Sequence, residues 1–203
     1  MMSMKKDLIW SLAAGIIAGI FLRPVVQNLG LKLPYLNILL FLILPVASTA
    51  WIFLIKKLFP AKVSIFQFAK FAVTGGLNAS IDFGVLNILI ILSGISEGFY
   101  FSLYKALSFI IANLNSYFWN KRWTFEGRSQ LQAREYLKFL VVSLGGLVIN
   151  VGVASAVVNL IEPQFGFSPA VWANFGALAA SLAGLLWNFV GYKFIVFAGS
   201  KVR

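Results

Sequence analysis

Two residue types are missing outright from this 203-residue chain, which has no cysteine and no histidine. Without cysteine there is no disulfide, no thiol nucleophile and no thiolate ligand. Without histidine the commonest general base and zinc ligand are gone as well. Charge is scarce, at 11% of residues, and negative charge scarcer still, with six acids against seventeen lysines and arginines. The acids are Asp7, Asp82, Glu97, Glu126, Glu135 and Glu162, and no two are neighbours. There is no Asp-x-Asp pair to hold a metal, no Gly-x-x-x-x-Gly-Lys-Ser/Thr phosphate loop and no glycine-rich dinucleotide turn. A glycosyltransferase or an ATP-driven pump built from this chain alone is therefore not expected, and neither is a metal or other cofactor.

Apolar residues fill the space that charge leaves. They make up 60% of the chain, against about 45–50% in soluble domains, where about 25% of residues are charged. The fold class that follows is an all-α integral membrane protein. A membrane-crossing helix needs about 20 mostly apolar residues, and six such stretches are present, at residues 8–29, 36–55, 68–92, 100–120, 137–160 and 171–192. In the first, the uninterrupted apolar run stops at Leu22, before Arg23-Pro24. Its Lys5-Lys6 start resembles a signal peptide, but no small-x-small cleavage site follows. It is read as a span, with Arg23 snorkelling to the interface.

The surplus of positive charge sets an orientation. With the N-terminus inside, fourteen lysines and arginines fall on the cytoplasmic side and only Arg23, Lys32 and Lys105 fall toward the outside. Both termini are then cytoplasmic. The net charge of +11 is thereby explained as topology, and nucleic acid is not expected as a partner, because no soluble basic surface exists to bind it.

The last four spans repeat one hairpin. Lys70-Phe71 with Val73 recurs as Lys138-Phe139 with Val141, and Ile81-Asp82-Phe83-Gly84-Val85 recurs as Ile149-Asn150-Val151-Gly152-Val153, both at a spacing of 68. Ser116-Tyr117 through Lys121 and Phe125 is echoed by Asn188-Phe189 through Lys193 and Phe197 at a spacing of 72. Each copy, about 68–125 and 136–197, has an even number of spans, so the repeat is parallel, as in one common transporter plan. Residues 1–62 form an extra hairpin ahead of a four-helix domain at 63–203.

Ionisable groups inside a span are functional candidates by default. Asp82 lies near the middle of the third span and Lys105 about one and a half turns into the fourth. Their similar depths suggest an ion pair, which would serve either as a helix staple or as working machinery. The repeat places neutral Asn150 where the first copy has Asp82. Further polar residues share helical faces: Gly75, Asn78 and Asp82; Lys105, Ser108, Ala112 and Asn115; Asn113, Ser116 and Asn120; Asn174, Ser181 and Asn188. Taken singly, such amides are interhelical glue. Together they suggest a polar cavity able to hold hydroxyl groups. Asn120-Lys121-Arg122-Trp123-Thr124-Phe125, echoed by Tyr192-Lys193-Phe194-Ile195-Val196-Phe197, combines cations with aromatics at the inner interface. That is either the ordinary aromatic belt or a headgroup site, where Arg forks onto phosphate and Trp stacks on sugar.

These residues carry a family resemblance. Lys70-Phe71, Gly75-Gly76-Leu77-Asn78, Asp82-Phe83, Asn115-Ser116-Tyr117 and Asn120-Lys121-Arg122-Trp123-Thr124-Phe125 resemble the GtrA-like family. So do Lys138-Phe139-Leu140, Trp187-Asn188-Phe189 and Lys193, over about residues 64–197. The resemblance implies a small four-span protein of the bacterial cytoplasmic membrane. It further implies movement of polyprenyl-phosphate-linked monosaccharides for O-antigen glucosylation or cell-wall polysaccharide synthesis, often beside a membrane glycosyltransferase. Two features depart from it. The N-terminal hairpin is extra, and the second copy has Tyr192-Lys193-Phe194-Ile195 where the family pattern is nearer Asn-Arg-x-Trp.

The reading that follows is a lipid-linked sugar translocase rather than an enzyme. Lys121, Arg122 and Lys193 would take the phosphate, with Trp123 beside them as a stacking surface for sugar. Asn78, Asp82, Asn113, Ser116 and Asn188 would line the sugar path, with Lys105, Asn115, Asn120 and Asn150 as further polar contacts. The prenyl tail would stay among membrane lipids, and a thin wall of four to six helices leaves room for a homodimer. The alternative is a non-transporting anchor for a glycosyltransferase. A small multidrug-type exporter ranks third, because it does not explain the cationic-aromatic repeats.

Overall fold

A computed structural model of the chain describes residues 3–31, 35–124 and 133–191, with side chains described for all of these except 133–140, 185, 186 and 188–191. All the secondary structure among the described residues is helical: α1 Met4–Asn28, α2 Leu36–Leu58, α3 Val63–Ser93, α4 Gly98–Trp119, α5 Ala133–Leu160 and α6 Pro169–Gly191. A π-helical turn, Asn120–Thr124, extends α4. Each helix covers one of the six expected spans to within a few residues. By length and composition, α1, α2, α3 and the Val141–Leu160 stretch of α5 can cross a membrane. The 22-residue α4 extends about 33 Å at 1.5 Å per residue, but Lys105, three serines, three tyrosines and two asparagines dilute its apolar content.

The chain forms two compact units, residues 1–88 with 111–129, and residues 89–110 with 130–203. In the first unit the core runs through Ala14 and Ala18 of α1, Ile52 and Ile55 of α2, Phe66, Ala69, Leu77 and Ile81 of α3, and Ala112 and Trp119 of α4. The N-terminal hairpin, expected as a separate addition, thus shares one core with the start of the four-helix domain. Within the hairpin, α1 presents a face of small residues to α2. Gly15 and Gly19, one turn apart, let the backbone of α2 approach closely. A Cβ at Gly15 would collide with the Pro45 backbone, and one at Gly19 would lie 3.1 Å from Phe41 Cα. Gly84 of α3 meets α1 in the same way at Phe21.

The helix does not end at Pro24, where the apolar run suggested weakness. It continues for one more turn and closes with the Leu29 amide on the Val25 carbonyl at 3.0 Å. The outward face of α2, including Ile38, Leu42, Val46 and Phe53, is apolar and exposed, which suits contact with hydrocarbon.

In the second unit α5 and α6 pair lengthwise. Gly176 of α6 sits against Val158 and the Ala154 carbonyl of α5. The indole N–H groups of α6 also bond to α5 backbone oxygens, Trp172 to Val157 at 3.2 Å and Trp187 to Val142 at 2.9 Å. The start of α4 joins the same unit, where Asn159 accepts from the Gly98 amide at 2.6 Å and Ser155 donates to Ser102 at 2.7 Å.

Gly15→Ala should lower the unfolding midpoint of the detergent-purified protein, since overpacking a tight contact costs about 1–3 kcal/mol. Gly76→Ala, on an open helix face, should leave it unchanged or raise it, because Ala is the better helix former.

Candidate functional site

At the end of the first unit where α1 and α3 begin and α4 finishes, three side chains converge on one carboxylate. Asp7 stands in the first turn of α1, Lys70 in the second turn of α3, and Trp123 on the π-helical turn. Lys70 Nζ lies 2.6 Å from Asp7 Oδ1, and Trp123 Nε1 donates to the same oxygen at 3.0 Å. Asp7 and Lys70 are each 1% exposed and Trp123 is 0% exposed. Lys70 Nζ also donates to the Trp123 carbonyl at 3.5 Å and faces the rings of Phe66 and Trp123. One turn further along α3, the buried hydroxyls of Thr74 and Thr124 lie 3.3 Å apart. Trp10, Trp119 and Trp123 close the cluster with ring centroids 4.9 to 6.5 Å apart.

The π-helical turn sorts the Lys121-Arg122-Trp123 motif. Its wider winding turns Trp123 into the unit and leaves Lys121 and Arg122 exposed. Both cations rest on rings of their own helix, Lys121 over Tyr117 at 5.5 Å and Arg122 over Phe118 at 5.6 Å. Trp123, expected as a stacking surface for sugar, has no open face and serves instead as a donor to Asp7.

Farther into the first unit, Asn115 donates to Asn78 at 2.6 Å, joining α4 to α3. Asn120 donates to Ser116 at 3.1 Å, while its own buried carbonyl oxygen has no hydrogen-bond partner among the described residues. Asn113 is half-buried and Asp82 is buried. At the far end, Asn28 of α1 donates to the Asn87 side chain of α3 at 2.8 Å. In the second unit Lys105 and Ser108 are wholly buried. Asn150 is 3% exposed, its carbonyl oxygen has no hydrogen-bond partner among the described residues, and Gly184 lies beside it. Asp82 and Lys105 belong to different units. The Asn188 side chain and Lys193, with the rest of the second cationic-aromatic stretch, lie outside the described residues. No group of three or more acids forms among the described residues.

The sequence reading missed Asp7 and Lys70 as partners. Lys70 was counted with the inside-facing cations, although it opens the repeated Lys-Phe motif. Asp7 was the one acid amid the basic start, a signal that a nearby buried cation would need.

With this geometry in hand, comparison with known proteins is decisive at the family level. The family model described as "GtrA/DPMS, transmembrane domain" matches residues 70–197, more than half of the chain. The chain belongs to the GtrA/DPMS family. The resemblance read from the hairpin motifs is therefore correct. GtrA/DPMS proteins are membrane proteins of glycan synthesis and are generally non-catalytic. A relative in Bacillus subtilis (strain 168), "Uncharacterized membrane protein YngA", is 28% identical over 141 residues, covering 68% of this chain and 84% of the relative. No solved structure matches. The GtrA/DPMS match begins at Lys70, so Lys70, Thr74, Trp123 and Thr124 lie within it. Asp7 reaches them from the preceding helix.

Asp7→Asn and Lys70→Met should each destabilise the protein by about 3–5 kcal/mol, as removing one partner of a buried pair does. The double variant Asp7→Asn/Lys70→Met should recover part of that loss. Unfolding midpoints across the four proteins, read as a double-mutant cycle, check the coupling.

Proposed function

We propose that this protein is a non-catalytic translocase that carries a polyprenyl-phosphate-linked monosaccharide across a bacterial cytoplasmic membrane, with both of its termini inside. The observation that carries this reading is Asn150. A buried amide oxygen left without a donor costs about 1–3 kcal/mol, and in a membrane helix no bulk water relieves it. A passing sugar hydroxyl is a donor of the right kind. The buried Asn120 carbonyl oxygen supports the same reading.

The physical task is to replace the water that sugar hydroxyls lose on entering hydrocarbon. Each unit offers polar groups for this: Asn78, Asp82, Asn113, Asn115, Ser116 and Asn120 in the first, and Lys105, Asn150 and, by sequence, Asn188 in the second. Exposed Lys121 and Arg122, with Lys193 by sequence, would draw the phosphate. The prenyl tail stays in lipid. The chain has no nucleotide motif, so movement is downhill or proton-coupled, with Asp82 as the coupling group.

One observation favours a second reading, a non-transporting anchor for a membrane glycosyltransferase. The Asn78–Asn115 pair satisfies itself across two helices, as glue does.

Proteoliposomes holding the purified protein and a polyprenyl-phosphate-linked sugar, with a membrane-impermeant reagent reporting the accessible leaflet, separate the two. A translocase exposes the inner-leaflet pool. Neutralising Lys121 and Arg122 should then abolish exposure, and Asp82→Asn should abolish or uncouple it. Asn150→Leu should slow it about ten-fold, the equivalent of one hydrogen bond. If no transfer occurs with several sugars while the protein co-purifies with a glycosyltransferase, the anchor reading replaces this one.

A further inference from the structure

We propose that the loop joining α5 to α6 is a lipid anchor, in which Phe165 seats its ring in the hydrocarbon edge of the leaflet at that end of the second unit. Lipid contact at this loop does not depend on whether the protein moves a sugar.

Gln164-Phe165-Gly166-Phe167 is a hydrogen-bonded turn, with the Phe167 amide donating to the Gln164 carbonyl at 3.1 Å. Its two central residues have positive φ, 57° at Phe165 and 72° at Gly166. Positive φ at both places is the mark of a type I′ turn, whose central positions belong mostly to Gly, Asn and Asp. A phenylalanine held in the left-handed region is strained. Its ring is also 90% exposed, meeting Phe167 edge-on with centroids 6.1 Å apart. In water the strained backbone and the bare ring are both unfavourable. In hydrocarbon, transfer of the ring offsets the strain.

The turn is more chain than the connection requires. In the first copy of the repeat, four residues, 94–97, join α3 to α4, whereas eight, 161–168, join α5 to α6. Four residues therefore suffice between such helices, and the excess is as long as the turn itself.

The loop also lies at the right depth. The membrane-crossing stretch of α5, Val141–Leu160, has 20 residues and ends where the loop begins. Such a stretch extends about 30 Å, the thickness of the hydrocarbon core. Past that edge the loop leans along the helices. Phe167 stacks on Phe175 of α6 at 5.2 Å with the rings 20° apart. The Trp172 indole N–H donates to the Ile161 carbonyl at 2.9 Å, and the Ser168 hydroxyl accepts from the Val171 amide at 3.3 Å. Both ends of the loop are thus fixed to α6. Exposed Leu160 and Ile161 carry the apolar, lipid-facing surface of α5 onto the loop without a break. A phenylalanine ring has no polar atom to set among headgroups, so hydrocarbon is its matching solvent.

The test uses the full chain in lipid nanodiscs with para-fluorophenylalanine, nearly isosteric with phenylalanine, placed at position 165. Two paramagnets are compared on its fluorine resonance: a lipid bearing a nitroxide high on its acyl chain, and a water-soluble gadolinium chelate. The lipid nitroxide should enhance relaxation about three-fold more than the chelate, as for a group buried at the headgroup–acyl boundary. Equal or greater enhancement by the chelate places the ring in water and overturns the proposal. Weak enhancement by both means that protein covers the ring, a second copy or another partner, and overturns it too. A second variant assigns the anchor to Phe165 itself. With the probe at position 167, Phe165→Asn should lower the lipid enhancement by about half, because Asn tolerates positive φ and keeps the turn but brings no ring to bury. An unchanged enhancement there overturns the role of Phe165.

Discussion

Lys70 is a full positive charge with 1% of its surface exposed, set among rings in a chain made for hydrocarbon. Such a charge is tolerable only with an anion at contact distance. Much else in the first unit follows from this requirement. The anion comes from α1, so α1 must dock on α3, and the small residues Gly15, Ala18 and Gly19 let α1 and α2 pack tightly behind it. The indole N–H takes part of the carboxylate's remaining hydrogen-bonding capacity, so Trp123 must turn inward. The π-helical turn makes that rotation and thereby displays Lys121 and Arg122 on the opposite side. One ion pair thus fixes three helices and sorts a six-residue motif into a buried part and an exposed part.

The amides obey a different economy. A buried ion pair is stabilising only as a complete set, whereas an amide can exchange one neutral partner for another at a net change of about 0.5–1.5 kcal/mol. Asn78 and Asn115 satisfy each other, and Asn28 satisfies Asn87. Asn150 and Asn120 keep a carbonyl oxygen in reserve. The first group holds helices together. The second is where a visiting hydroxyl meets least competition, because no protein contact must break before it binds. That division separates scaffold from path more sharply than residue type alone.

Much of this was legible in the sequence, for definite reasons. Hydrocarbon thickness sets span length, so six apolar runs gave six helices with ends close to the expected ones. Helical periodicity put Asn78 on one face and Asn115 on another, and the two faces met. The Asp7–Lys70 pair was not legible, because partners far apart in sequence leave no periodic trace and Lys70 reads equally well as an inside-facing cation. The inward turn of Trp123 was not legible either, because it depends on the π-helical turn Asn120–Thr124. A π turn changes the angular advance locally, and no composition signal marks it. The hairpin of residues 1–62 lies outside the repeat, yet α1 packs on α3 where Gly84 admits Phe21 and where Asp7 meets Lys70.

The two copies of the repeat have also diverged in a consistent direction. Where the first carries Asp82 and Trp123, the second carries Asn150 and, at the matching position, Ile195. The second keeps a lysine, Lys138, where the first has Lys70. The first copy therefore retains a membrane acid and an indole donor, while the second retains a neutral amide in place of the acid. A headgroup with one phosphate and one sugar has no two-fold symmetry, and a scaffold of two identical hairpins would offer it two equal stopping places. Giving one copy the membrane acid and the other a neutral amide in its place removes that degeneracy.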